Sequence, residues 1–105
     1  MQQEIQSTLE QIDAMLSEIA EIPDFNILKY EKKLELYIQI HAIEIRLLDK
    51  LIERGLLDLK DPDLQEIEKL RDKVFSFLNI PRPKLFKRYE QLVSKQRELL
   101  LRFRT

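Results

Sequence analysis

Apolar residues recur along this chain at steps of three and four, and the places where that rhythm breaks divide it into four segments. Ile5, Leu9, Ile12, Leu16 and Ile19 alternate steps of four and three, the seam of a packed helix. This predicts a first helix over 2–21, stopped by Pro23. A second helix is expected over 26–54, with Asp24 or Asn26 as its N-cap. Gly55 is placed one residue past its end, where Leu56 would close a Schellman contact on Leu51. At helical rise such an element spans roughly 43 Å. Asp61-Pro62-Asp63 reads as an N-cap, a first-turn proline and a first-turn acid, opening a third helix over 62–79. Ile80-Pro81-Arg82-Pro83 reads as a stiff turn, because a residue ahead of proline avoids the α region, and a last helix follows over 83–103. No run of period two competes. The expected architecture is all-α: one domain, 1–105, a four-helix bundle-like fold with a long second helix.

That second helix has two apolar faces. At 100° per residue, Leu34, Tyr37, Ile38, His41, Ile45, Leu48 and Ile52 cluster around one direction, while Leu36, Ile40, Ile43, Leu47 and Leu51 point nearly the opposite way. A helix at the edge of a small bundle needs one such face. The second set is therefore expected to form an interface between copies, making the protein a homo-oligomer.

Composition narrows the chemistry. The chain has 105 residues, no Cys and one Gly, which removes thiolate metal sites, disulfides and Gly-rich phosphate cradles. No apolar run is long enough to cross a membrane, and the Met1-Gln2-Gln3-Glu4 start lacks the order of a signal peptide, so a cytoplasmic protein is expected. Ser7, Ser17, Ser76 and Ser94 lie inside predicted helices with no base near them in sequence, and Asp61 and Asp63 sit where a helix start favours negative charge. His41 precedes Glu44 by three residues, the reverse of the Glu-x-x-His order used in bundle metal sites. It reads as a partly buried histidine with one hydrogen-bond partner, and as a pH-sensitive element if copies meet on its face. No cofactor, no metal and no enzymatic activity are expected.

The net charge of −1 is a cancellation. Residues 1–25 hold six acids and no Lys or Arg; residues 82–105 hold eight bases and two acids. On the last helix, Lys84, Arg88, Lys95 and Arg102 share one flank of the apolar arc, a stripe roughly 27 Å long at helical rise that suits backbone phosphates. Arg82, Lys87, Arg97 and Arg104 would assist. Two other readings remain: pairing of the stripe with acids of this chain or of a second copy, or docking of a basic amphipathic helix on a membrane surface or acidic partner. The acidic first helix matches the stripe incompletely, since only Glu4 and Asp13 flank its seam and Glu10, Glu18 and Glu21 point away. Phe75, Phe77, Phe86 and Tyr89 fall on apolar arcs as core, and only Phe103, between Arg102 and Arg104, is placed to stack on a base.

From about Ile19 to Leu92 the order of features resembles the small subunit of bacteriophage terminases, in the branch related to long-tailed phages of Gram-positive hosts. The residues that carry this are Glu21-Ile22-Pro23-Asp24, the spaced Tyr30 and Tyr37, Glu53-Arg54-Gly55-Leu56-Leu57, Asp61-Pro62, Phe75-Ser76-Phe77-Leu78 and Asn79-Ile80-Pro81-Arg82-Pro83. The N-terminal helix-turn-helix of many such subunits is missing, and Arg82-Pro83-Lys84 stands where small hydroxyl residues are usual. The resemblance implies an oligomeric subunit that binds duplex DNA in the host cytoplasm and delivers it to a separate large ATPase. The competing expectation is a small helical adaptor, inhibitor or scaffold acting through protein contacts without nucleic acid.

Overall fold

The computed structural model describes residues 1–23, 27–75 and 81–104, except the side chains of 27–30 and Arg82. Helix α1 (Gln2–Glu21) has the expected bounds, and its seam residues Ile5, Leu9, Ile12 and Ile19 are buried. Ile22 is already extended, at φ −84° and ψ 121°, as a residue ahead of proline should be. Helix α2 (Ile27–Glu53) ends in the expected Schellman geometry. The Leu56 N–H donates to the Leu51 carbonyl at 2.9 Å and the Gly55 N–H to that of Ile52 at 3.0 Å, with Gly55 at φ 72°. One detail differs from expectation. The Leu57 N–H also reaches Leu51, doubling the chain back so that Leu57 enters the core, while the Leu56 side chain stays 53% exposed. The N-cap expected at Asp24 or Asn26 lies outside the described residues.

Helix α3 (Pro62–Phe75) opens as expected, the Asp61 carboxylate accepting the Asp63 N–H at 2.9 Å; the expected extension to residue 79 lies outside the described residues. Helix α4 (Arg82–Leu101) starts one residue early and stops two early. Pro83 falls in its first turn, where a missing N–H costs nothing.

The long-range contacts fix the topology. α1 runs antiparallel to α2, with Glu4 at Lys50 and Arg54, and its start meets the end of α4 through the Gln2 amide and the Phe103 carbonyl, 3.0 Å apart. α2 and α4 lie parallel, Tyr37 edge-on to Phe86 at 5.2 Å and His41 against Tyr89 and Gln96. α3 returns along the far side of α4 and approaches neither α1 nor α2 along the backbone. The result is a slab of 43 × 28 × 15 Å with a radius of gyration of 14.3 Å, against about 13 Å for a compact chain of this length.

The expected interface residues on α2 are where the fold departs most from expectation. Leu36, Ile40, Leu47 and Leu51 are buried inside the chain, at 0–5% exposure, and Ile43 is half-buried along a groove that α1 shares with α2. A 20-residue α1 reaches about 30 Å along the rod, enough to seat on this face. The opposite face takes α4, with Ile38 left 43% exposed at its margin, so the residues expected at an interface between copies are packed within one chain.

Candidate functional site

The basic stripe of α4 faces α3, whose acids the sequence reading did not weigh as its partners. Lys95 Nζ lies 3.1 Å from Asp63 and 3.2 Å from Glu66; the Arg102 guanidinium meets Asp61 and Asp63, both at 2.9 Å. Hydrogen bonds to Asp63 and then to Glu66 raise the Lys95 pKa, and the hydrogen bond from Arg102 holds the Asp61 carboxyl below the usual carboxylate range. Arg97 bridges to Asp13 of α1 at 2.7 Å. Arg88 donates to the Lys73 carbonyl at 2.7 Å, fastening α4 to the end of α3. The expected 27 Å stripe is therefore not a free row of cations. Its C-terminal part holds α3 and α1 in place through partly exposed pairs, which contribute modestly to stability but absorb charge.

What remains open is compact. Lys84 and Lys87 are exposed and carry no ion pair to a described residue; Arg104 is exposed at the other end of the helix. The Arg82 side chain lies outside the described residues. Because α2 and α4 are parallel, both helices begin toward one end of the slab, but with Tyr37 against Phe86 the α2 start lies about 9 Å beyond that of α4 at helical rise. Neither first turn holds an acid, and Lys29, Arg82 and Lys84 belong to those turns. Cations near a helix N-terminus oppose its dipole, whereas α1 and α3 carry Glu4 and Asp63 there, as helix electrostatics favours. Lys32 and Lys73 are exposed in the adjoining turns. Glu18 and Glu21 close α1 at this end, exposed on its outer side.

No protein-family model, curated protein or solved structure matches this chain.

Three other expected features find their places. Phe103 is half-buried against the core with the Arg102 guanidinium 5.8 Å from its ring centre, which removes it as an open stacking surface. Phe86 and Tyr89 pack inward, Phe75 is 56% exposed while touching His41 and Tyr89, and Phe77 lies outside the described residues. His41 has the single expected partner: its Nδ1–H donates to Gln96 Oε1 at 3.0 Å, buried between α2 and α4. Burial lowers the His41 pKa, the Gln96 bond offsets part of that, and nearby Arg71 adds to it. The neutral ring suits the fold, so its contribution is complete above the unfolded value near 6.5 and is lost as pH falls below it. Among the described residues no three His, Asp or Glu side chains are grouped so as to hold a metal ion, and no helix is long and apolar enough to cross a membrane.

The sequence reading passed over one group. Glu44 is 0% exposed, and neither of its carboxyl oxygens has a hydrogen-bond partner. Burial pushes its pKa up to about 9, the Arg97 charge offsetting only part. Its angular position held the signal: Glu44 falls on α2 between the Leu36/Ile40 face and the Leu34/Tyr37 face, inside the combined apolar arc.

Proposed function

We propose that this chain is a non-catalytic helical binding module that contacts the phosphate backbone of nucleic acid through the end where α2 and α4 begin. One observation carries the reading: Lys84 and Lys87 stand open at the acid-free start of α4, while Lys95, Arg97 and Arg102 are matched to carboxylates. Phosphate oxygens pair with the ammonium groups, which carry the contact because Pro81 and Pro83 at the α4 start have no N–H and the Lys84 and Leu85 N–H groups already reach the Pro81 carbonyl. Such a patch grips backbone without reading bases, so affinity is weak for a single chain and grows if several chains are assembled. In its specific form, suggested by the terminase resemblance, the module is a DNA-packaging subunit whose copies present many such ends to one duplex. That form also implies a large ATPase partner.

Titration of a labelled duplex against increasing salt tests the reading. With three or four phosphates contacted, the logarithm of affinity falls against the logarithm of salt with a slope of about −3. No binding at about 50 mM salt would remove it.

A second reading rests on a different surface. Leu56 and Leu59, 53% and 60% exposed, project from a well-tied connection between α2 and α3. There Asp58 accepts the Lys60 and Asp61 N–H groups, and the Gln65 amide holds the Leu59 carbonyl. An ordered loop that holds two leucines in water favours the adaptor or scaffold role, with the partner being a protein that offers an apolar cleft.

A further inference from the structure

We infer that Glu44 makes the joint between α1, α2 and α4 a proton-locked latch: α1 stays seated while the carboxyl carries its proton, and loss of that proton frees α1 from the other two helices.

The geometry of the joint carries this. On α2, the residues that meet α1 (Ile43, Leu47, Lys50) and those that meet α4 (Tyr37, His41) leave Glu44 between them, where the three helices converge. The polar and charged groups that face it are already committed. From α4, Arg97 is bonded to Asp13 of α1 at 2.7 Å, and Gln96 spends its Oε1 on His41 while its Nε2 has no partner. From α2 itself comes the neutral His41, one turn earlier; from α1, Asp13 is an anion. Among the described residues no uncommitted cation remains at the joint to neutralise a second negative charge, and the open Gln96 amide offers a neutral donor only, so an ionised Glu44 would be an unneutralised charge in apolar surroundings.

The joint has one cheap way to open. α2 and α4 hold each other through Tyr37, Phe86, His41 and Gln96, and α3 packs on α4 away from Glu44. The polar ties that cross from α1 to its neighbours include surface ones from Gln2 to Phe103, from Glu4 to Lys50 and Arg54, and from Asp13 to Arg97. Lifting α1 admits water to Glu44 and leaves the other helix pairs standing. It also uncovers Leu36, Ile40, Ile43 and Leu47, so the face that the sequence marks for a partner becomes available only when the latch is open.

Native-state hydrogen exchange on the full chain between pH 5 and 8 tests this. After correction for intrinsic chemistry, the opening constant of α1 amides rises about tenfold per pH unit, as release of one proton requires. At each pH α1 exchanges ahead of the central turns of α4. In Glu44→Gln, which keeps shape but cannot ionise, the slope disappears. Three results would overturn the inference: α1 opening that does not change with pH in the wild-type chain, α1 and α4 exchanging at one common rate, or a slope that survives in Glu44→Gln. Direct titration of the Glu44 carboxyl carbon by NMR gives a second reading, and a midpoint in the ordinary carboxylate range would also overturn it.

Discussion

Ile40→Ala and Leu51→Ala are each expected to lower the unfolding free energy by about 2–5 kcal/mol in urea denaturation, and the loss should be the same over a hundredfold range of protein concentration. Both side chains are fully buried within one chain, Ile40 under α1 and Leu51 at the end of the same seam. Truncating them leaves cavities that helices fixed by caps and cross-helix pairs close only partly. For a domain whose total stability is about 5–15 kcal/mol, either change removes a large share. Had this face been an interface between copies, the loss would instead grow on dilution, because stability gained by association depends on concentration. Concentration dependence would therefore restore the interface expected from sequence.

Glu44→Gln is expected to move stability the other way. In the unfolded chain the carboxyl ionises near 4.5, while the fold holds it protonated up to about 9. Between those values the folded state binds the extra proton, so stability is complete below the unfolded value and declines as pH rises. At pH 7 the cost of keeping that proton is roughly 3 kcal/mol. Glutamine has nearly the same shape and no charge to suppress, so the variant should be more stable than wild type by about this amount at pH 7. The gain should shrink to about 1 kcal/mol at pH 5 and vanish below pH 4. Equal stabilities at pH 7 would mean that Glu44 has a partner or water that the structure does not show.

Helix punctuation made most of the fold legible. Pro23, the Gly55 cap and the Asp61-Pro62 start each act through local sterics or a hydrogen bond that neighbouring residues decide. The two faces of α2 were legible as well, but what covers them was not. Periodicity says that Ile40 and Leu47 are buried without saying whether the partner is α1 or another copy, since the same apolar contact serves both. Charge was harder still. Lys95 and Arg102 are neutralised by Asp61, Asp63 and Glu66, which lie more than 25 positions away in sequence and face them only because α3 folds back along α4. Glu44 shows the same limit: its angle on the helix was readable, but a carboxyl on an apolar arc is usually paired, and its lack of a partner needs three helices in place to be seen.

The division of α4 into a structural half and an open half is most directly tested by comparing two double variants for duplex binding at about 100 mM salt. There charges more than about 10 Å apart are largely screened from one another. Lys84→Ala/Lys87→Ala should lower duplex affinity at least tenfold, reduce the salt slope by about 2 and leave thermal stability near wild type. Lys95→Ala/Arg102→Ala should leave affinity within about twofold, with the cost seen in the packing of α3 on α4. Equal losses from the two pairs, or a larger loss from Lys95 and Arg102, would contradict the account and return the binding surface to the full length of the stripe.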